Sequence, residues 1–511
     1  MRKAKALMLG DIKHPMVPLE CAGTFSTIEE AGVQLAYSAN IADAEEKEAL
    51  RLWAEKPHTS HYGRLFAQGS FAALGVRFGK FDKLGRVNDE VHYRLPRDMS
   101  ARMAFQIPGH QKPVKVSGFL MGNNSGLPSH DAFFLITSKP LHYFTNGRDD
   151  PLALPKKYVD VRFTAKHNSF TYSSQLETVA QLQRTANNRW HAILLNQIHD
   201  TIPEMDLTSD RRIPPEVKAK ADEWLRGWMS WNAEQLSVIN GIKRAKGGMI
   251  LVMGPAGTGK TLLQQALAIY FWKLGYRILA LAPANSNADY MARQMDNVRM
   301  RDTELQDVKF CRLYPASRDS GLEVIDERQA AKRKMGGRGG NVLSFRELLV
   351  ALEELKGSGT FARPFGVVEI VVRMALQRKL QNIVQLRDEN DKAYGQHVDS
   401  WSVLREFIMA YRDGSFDPRQ PEAVLRFRRA YQACKGQVIG LSRFMITTTG
   451  NVRAAELLSY WTKQEPGMAC IGVMVFVDEA AKDLEANVWG GVVCETWAHL
   501  VKGVFMFGDD R

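Results

Sequence analysis

Short apolar runs separated by turn residues dominate the chain between residues 63 and 165. Several of these runs alternate apolar and polar positions, a pattern typical of strands with one buried face. Gly, Pro, Asn and Asp lie between the runs and favour turns. Strands at this spacing predict a small barrel or sandwich, with candidates at Gly75–Phe78, Val91–Leu95, Val114–Leu120, Ala132–Thr137 and Tyr158–Phe163.

Helical periodicity lies on both sides of this β-rich segment. Residues 1–62 have mixed patterning, and the charged stretch Ala42–Glu55 predicts a helix. Apolar positions three or four residues apart then form one stripe along Leu176–Ile193, which is typical of an amphipathic helix. Pro214–Pro215 open another helical segment. These patterns assign residues 166–230 to a helical stalk or linker.

Beyond residue 230, apolar runs alternate with helical segments, which is typical of an α/β fold with a parallel sheet. Met249–Met253 is a continuous apolar run and predicts a buried parallel strand, and Thr261–Leu274 predicts the helix that follows it. Helical patterns dominate an insert at about 319–435. Further strands are predicted at Arg277–Ala282, Arg443–Thr447, Ile471–Val477 and Val504–Phe507.

Composition narrows the class of protein. The 511 residues are 45% hydrophobic and 24% charged, which is ordinary for a folded chain and excludes wholesale disorder. No uncharged apolar run has the length of a membrane span, and the N-terminal segment lacks a secretory signal pattern. The five cysteines are scattered and form neither a disulfide framework nor a zinc motif. We therefore expect the cytoplasm or nucleus and no membrane partner.

The charge balance favours an anionic partner. Lys and Arg number 68 against 56 Asp and Glu, which gives a formal net charge of +12 and a pI of about 9.3. Such an excess promotes binding to nucleic acid through counterion release. Many globular proteins are mildly basic, however, so the charge alone leaves the partner open.

A phosphate-binding motif follows the first predicted strand of the α/β segment. Residues 254–261 match G-x-x-x-x-G-K-[ST], in which glycines let backbone N–H groups approach a phosphate chain. Lys260 is placed to bind the β- and γ-phosphates, and the Thr261 hydroxyl to bind Mg²⁺. A P-loop lies between a strand and the start of a helix, and the predicted strand before this motif and the predicted helix after it agree with that arrangement. The nucleotide-binding residues predicted here are Gly254, Pro255, Ala256, Gly257, Thr258, Gly259, Lys260, Thr261 and Leu262.

An acidic pair follows another apolar run. Residues 473–477 lead directly into Asp478 and Glu479, and a carboxylate at the C-terminal end of a parallel strand lies at the ligand-binding edge of the sheet. Asp478 is therefore predicted to bind Mg²⁺, and Glu479 to orient and deprotonate the attacking water. A strand that simply ends in two solvated acids is the alternative, and the phosphate-binding motif is what favours catalysis.

The segment from Trp231 to Arg511 resembles the superfamily 1 helicases, in particular the branch that contains the nonsense-mediated-decay RNA helicase. Trp-Asn-Ala-Glu-Gln at 231–235 resembles the family's LNxxQ element, and Gly-Pro-Ala-Gly-Thr-Gly-Lys-Thr is close to its GPPGTGKT. Ala-Pro-Ala-Asn-Ser-Asn-Ala-Asp at 282–289 resembles its APSNxAxD, and Asp-Glu-Ala-Ala at 478–481 its DEAA element. Two shorter matches follow the same order, at Thr447–Gly450 and Gly508–Asp509.

The resemblance implies an ATP-dependent helicase or translocase that hydrolyses ATP while it moves along single-stranded RNA or DNA. It implies a RecA-like motor domain at 231–511 with the helical insert, preceded by a barrel-like domain at 63–165 on helical stalks. By the same resemblance, Gln235 reads the adenine edge, and Asp509 belongs to the nucleotide site. The implied nucleic-acid contacts are Pro283, Asn285, Ser286, Asn287, Thr447, Thr448 and Thr449.

The family pattern also includes a second motor domain whose arginines contact the γ-phosphate. This sequence stops at Arg511, before the expected glutamine of GDxxQ, so we expect a fragment of a longer protein; a single-motor protein is the other interpretation. A module that binds nucleotide and nucleic acid without turnover is the alternative function. A P-loop enzyme of another class, such as a small-molecule kinase, is a third, and the LNxxQ-like element argues against it.

Overall fold

The structure is a computed structural model. It describes residues 25–55, 59–68, 71–77, 99–105, 114–121, 131–136, 159–165, 170–184, 189–195, 202–305, 310–314, 348, 352, 365–376, 392–415, 421–462, 471–482 and 485–509. The strand predicted at Val91–Leu95 lies outside these residues.

Six antiparallel strands form the N-terminal β-structure and close into a ring in the order β1-β2-β5-β4-β3-β6. The bounds are β1 Thr59–Gln68, β2 Phe71–Arg77, β3 Met99–Phe105, β4 Val114–Met121, β5 Asp131–Ile136 and β6 Val159–Ala165. The sequence pattern missed β1 and β3, since Gly63 and Arg64 interrupt the apolar positions of the first and Met99–Phe105 is rich in small and polar residues.

Three helices precede or follow the ring of strands in the chain, namely α1 (Ile28–Glu55), α2 (Phe170–Arg184) and α3 (Arg189–Leu194). Helix α1 contacts β6. Helix α1 begins well before the predicted Ala42, since Thr27 Oγ1 accepts from the Glu30 N–H at 3.1 Å and caps the first turn. The first turns of α1 are buried through small side chains such as Ala31, which contribute little to a hydrophobic pattern in the sequence. The stripe predicted over Leu176–Ile193 is divided between α2 and α3.

A six-stranded parallel sheet forms the centre of the C-terminal half, in the order β11-β12-β10-β13-β14-β9. A two-stranded antiparallel pair, β7 with β8, lies before it in the chain. The bounds are β7 Glu204–Met205, β8 Ala245–Lys246, β9 Met249–Met253, β10 Arg277–Ala282, β11 Phe310–Arg312, β12 Phe444–Thr448, β13 Val473–Val477 and β14 Val501–Gly508.

Helices cover both faces of this sheet. Their bounds are α4 Pro215–Gly227, α5 Ala233–Gly241, α6 Lys260–Lys273, α7 Asn285–Arg301, α8 Val367–Leu376, α9 Lys392–Asp413, α10 Pro421–Leu441, α11 Ala455–Tyr460 and α12 Glu485–Gly490. Among the described residues, no helix combines the length and apolarity needed to cross a membrane. The parallel sheet with helices on both faces fits an α/β, RecA-like P-loop domain.

Two apolar cores lie on opposite sides of the sheet. Along β10, Leu279 and Leu281 belong to one core, and Ile278 and Ala280 to the other, because successive side chains of a strand point to opposite faces. Helices α4, α6 and α7 pack into the second core, while α2, α12 and the insert helices pack into the first. Helix α6 is buried without interruption from Leu263 to Phe271, so it is the central helix of its layer.

Strand β9 corrects one prediction. It is parallel to β14, as expected, but Leu251 is 62% exposed and Met253 59% exposed, whereas the apolar run predicts a buried strand. The reason is its position, because within the described part of the chain β9 has a neighbour on one side alone and lies at the edge of the sheet. An apolar run thus identified the strand correctly and its burial incorrectly.

Candidate nucleotide-binding site

Three motifs that are distant in sequence meet at one edge of the sheet. Strand β14 lies between β9 and β13, so the residues that follow all three strands are neighbours. The Gly254 N–H donates to Gly508 O at 3.3 Å, which joins the phosphate loop to the end of β14. A methyl group added at Gly508 would lie 3.6 Å from Ala481 Cβ, which places the segment after β13 against the same point.

The phosphate loop, residues 254–259, has the backbone of a phosphate cradle. Gly257 and Gly259 have φ values of +86° and +82°, a left-handed conformation that favours glycine. Thr258 Oγ1 donates to Pro255 O at 2.9 Å and closes the turn. Helix α6 begins at Lys260 with no side-chain cap at Gly259, so its first N–H groups remain directed at the loop.

The loop is open to solvent on its outer side. Pro255, Ala256, Gly257 and Thr258 are all exposed, and Leu262 on the first turn of α6 is 36% exposed. A ligand can therefore reach the backbone N–H groups of the loop without displacing a protein segment that the structure describes.

Lys260 is anchored at the centre of the site. Its Nζ atom donates to Gly254 O at 2.5 Å, to Pro255 O at 2.8 Å and to Asp509 Oδ1 at 2.7 Å. The lysine side chain is 16% exposed and that of Asp509 28%, so the ion pair is only partly hydrated. The cation therefore lies at the rim of the loop, held by two loop carbonyls and by the carboxylate that follows β14.

Gln235 contacts the phosphate loop directly. Asn232 and Gln235 form a capping box at the start of α5, in which Asn232 Oδ1 accepts from the Gln235 N–H and Gln235 Oε1 from the Asn232 N–H. Gln235 Nε2 also donates to Thr258 O at 3.3 Å. A methyl group on Gly259 would lie only 2.7 Å from this nitrogen, so the glycine allows the close approach. Gln235 thus positions the loop through its own hydrogen bonds.

The acid pair lies where the strand order predicts. The Asp478 N–H donates to Leu281 O at 2.8 Å and extends the ladder between β13 and β10 by one residue. Glu479 then adopts φ +51°, a conformation that is costly for a residue with a Cβ atom and is frequent at functional sites. The chain turns sharply at this point, which leaves both carboxylates at the end of the strand.

The residues present fit Mg²⁺. A P-loop magnesium site needs one hydroxyl, one or two carboxylates and the phosphate oxygens of the ligand, and Thr261 and Asp478 supply oxygen ligands of these types. Within the described residues, no group of three or more His, Cys, Asp and Glu could hold a metal ion without such help.

The polar loop after β10 is partly accessible. Ser286 is exposed, whereas Pro283, Asn285 and Asn287 are half-buried. Asn285 Oδ1 accepts from Arg312 Nη2 at 2.8 Å, so this amide has a structural partner. The loop lies at the same edge of the sheet as the phosphate loop, because β10 is parallel to β13 and β14.

Arg312 is a residue that the sequence motifs did not single out. It is completely buried at the end of β11, and its Nε donates to Asp289 Oδ1 at 3.1 Å and one Nη to Leu313 O at 2.6 Å. The guanidinium also stacks 4.3 Å from the centre of the Tyr314 ring. The sequence did offer one sign of its role, an arginine inside the apolar run 310–314. A charge in a buried strand requires polar partners, so such an arginine predicts a structural network around it. Arg312 fixes the first turn of α7, which carries the polar loop.

The three threonines after β12 do not fit their predicted contact with nucleic acid. Thr447 is completely buried, Thr448 is 7% exposed and Thr449 1% exposed. Thr447 Oγ1 donates to Leu313 O at 2.9 Å and accepts from Asn451 Nδ2 at 3.0 Å, which uses the hydroxyl inside the protein. The chain continues from β12 into a 3-10 turn, Thr449–Asn451, beneath α2 and α12, and this covering explains the difference.

Comparison with known families agrees with this geometry. A family model described as an AAA domain matches residues 230–335, a range that contains the capping box, the phosphate loop and the polar loop after β10. Comparison with curated proteins gives no match. The fold and the match define a P-loop NTPase domain, a class found in superfamily 1 helicase-like proteins.

Proposed function

We propose that this protein is an ATP-dependent helicase or translocase that acts on single-stranded RNA or DNA. One observation carries the proposal: the phosphate loop, the acid pair after β13 and the C-terminal end of β14 with Asp509 come together at one sheet edge, as an ATP-hydrolysing site requires. The order of the helicase-like motifs and the net charge of +12 support the nucleic-acid partner.

Binding of ATP would use the loop as an anion cradle. The backbone N–H groups of the loop and the positive end of α6 attract the β-phosphate, and Lys260 binds the β- and γ-phosphates. Thr261 and Asp478 would hold Mg²⁺, which neutralises phosphate charge when bound. Gln235, beside the loop, would recognise the adenine edge with its side-chain amide. The second Nε2–H and the second lone pair of Oε1 are not used by the hydrogen bonds to Thr258 O and the Asn232 N–H.

Hydrolysis would depend on Glu479. Its carboxylate follows Asp478 at the end of β13, where it can orient a water molecule toward the γ-phosphate and accept a proton from it. The backbone of Glu479 is left-handed, with φ +51°, a conformation that is frequent at functional sites. In this proposal Asp478 binds the cation and Glu479 acts as the general base, so the adjacent acids have separate tasks.

Movement on nucleic acid would depend on the loop after β10. Pro283, Asn285, Ser286 and Asn287 precede or begin α7, whose N-terminal N–H groups suit a phosphate. The loop borders the nucleotide site through the neighbouring strand β13, so a shift at the acid pair can reach it directly. Contacts of this kind are made to the backbone of the strand and tolerate any base sequence.

The N-terminal ring of strands and its helices would form an accessory domain for the same strand of nucleic acid. Helix α2 is joined to the motor by Gln175 Nε2, which donates to Asn487 Oδ1 at 2.9 Å, and by Gln181 Nε2, which donates to Glu495 Oε2 at 2.8 Å. Because Asn487 and Glu495 follow the acid pair in the chain, a movement of this segment would also move the accessory domain. This is the arrangement that the resemblance to superfamily 1 helicases implies.

The proposal is tested by ATP hydrolysis with and without single-stranded RNA or DNA. We expect either nucleic acid to stimulate hydrolysis, and Glu479→Gln to lower the rate about 10²- to 10⁴-fold while ATP still binds. Glu234→Gln, an exposed acid on α5, is the matched control and should leave the rate unchanged. Binding of ATP without stimulation by either nucleic acid would contradict the motor and favour a nucleotide-dependent binding module.

A further inference from the structure

All three protons of the Lys260 ammonium are used within the chain. They are donated to Gly254 O, Pro255 O and Asp509 Oδ1 at 2.5, 2.8 and 2.7 Å, and an ammonium group has three donors. A phosphate oxygen that binds Lys260 must therefore replace one of these acceptors. The two carbonyls belong to the loop itself, whereas Asp509 belongs to another strand.

Asp509 is the acceptor that competes with phosphate. It is the anionic member of the three, and a carboxylate and a phosphate on one ammonium repel each other. With Asp509 only 28% exposed, solvent screens that repulsion incompletely. The Gly508 O bond to the Gly254 N–H fixes the end of β14 at the entrance of the loop, so the carboxylate is held near the phosphate position.

We propose that Asp509 is an internal counter-ion of Lys260 that the phosphate chain of a nucleoside di- or triphosphate displaces. This inference rests on the proposed nucleotide site and makes Asp509 a competitor of the nucleotide within the site to which the family resemblance assigns it. Phosphate binding transfers Lys260 from the Asp509 carboxylate to the ligand. The carboxylate thereby lowers the affinity for ligands that carry a phosphate chain and leaves the affinity for uncharged ligands unchanged.

Isothermal titration of the full chain with ADP, ATP and adenosine in the absence of Mg²⁺ tests the inference. Asp509→Asn keeps the shape of the side chain and removes its charge, so we expect ADP and ATP to bind at least about fivefold more tightly, in the range of typical coupling between sites. Adenosine, which has no phosphate, should bind equally to both proteins.

A matched control separates this effect from the loss of any ion pair. Asp296 pairs with Arg299 on α7 and is 25% exposed, close to the exposure of Asp509, so Asp296→Asn should not change the affinity for ADP. If Asp509→Asn folds poorly, as judged by its melting temperature, Asp509→Ala serves the same comparison. Unchanged or weaker binding of ADP by the folded neutral variant would overturn the inference. Failure of the natural chain to bind ADP or ATP even with Mg²⁺ would instead overturn the proposed function.

Discussion

At the scale of single residues, two basic side chains, half-buried Lys260 and buried Arg312, join segments that are distant in the sequence. Lys260 bonds to two loop carbonyls and to Asp509, and Arg312 bonds to Asn285 and Asp289 while it is completely buried. A charge inside a protein is stable only with close partners, so each cation fixes the segments around it. One cation organises the phosphate loop and the other the polar loop after β10.

Replacement of Arg312 by lysine should weaken the binding of single-stranded RNA or DNA and spare nucleotide binding. Lysine carries the charge but cannot bond to Asn285 and Asp289 with a planar fork, so the first turn of α7 loses its support. We expect the affinity for an oligonucleotide to fall about 2- to 10-fold, the value of one hydrogen bond. Fluorescence anisotropy with a labelled oligonucleotide measures it.

Arg299→Lys is the control for this substitution, since Arg299 lies near the C-terminal end of the same helix and pairs with Asp296. It should bind the oligonucleotide like the natural chain. An equal loss of ADP and oligonucleotide binding in Arg312→Lys would show a general structural defect and contradict the specific role of Arg312.

At the scale of elements, sequence patterns located strands and helices better than they located surfaces. The apolar run of β9 predicted a strand, but periodicity within one strand does not reveal whether a neighbour covers its second edge. The threonines after β12 had the composition of an exposed turn, and α2 and α12 bury them. Helix α1 was underestimated because Ala and Gly give little hydrophobic signal. In each case the burial of the residues is set by tertiary packing, which the local sequence pattern does not contain.

Helix α12 is one of the elements through which the N-terminal helices contact the α/β domain. Trp489 on α12 is 4% exposed, and its ring lies 6.4 Å from that of Trp190 on α3 in an edge-to-face arrangement. The helix comes shortly after the acid pair in the chain. Its packing therefore connects the N-terminal helices to the nucleotide site.

Trp489→Ala should destabilise this junction strongly. Removal of a buried tryptophan costs about 3–5 kcal/mol, because the surrounding side chains close the cavity incompletely. Urea unfolding followed by circular dichroism measures the change, with Tyr290→Ala as the control, since Tyr290 is 52% exposed on α7. A loss below about 1 kcal/mol for Trp489→Ala would contradict the packing described here.

At the scale of the whole molecule, the sequence predicted that the motifs of the candidate site follow parallel strands, but not the contacts between these motifs. The phosphate motif and the acid pair each have a recognisable local pattern, and a parallel sheet places the ends of their strands at one edge. Nothing in local sequence indicates that Asp509 bonds to Lys260 or that Gln235 supports Thr258. The first contact depends on the position of β14 beside β9, and the second on the packing of α5 against the phosphate loop, both of which only the complete fold defines.

Magnesium-dependent binding of ATP, measured by isothermal titration calorimetry on the full chain, tests the central claim most directly. We expect saturable binding by the natural chain and a loss of affinity of about 10- to 100-fold in Lys260→Ala, since a charged hydrogen-bond partner of the phosphates is removed. Lys243→Ala, which changes an exposed lysine outside the site, should bind like the natural chain. Absence of binding by the natural chain, or equal affinity in Lys260→Ala, would contradict the assignment of a nucleotide site.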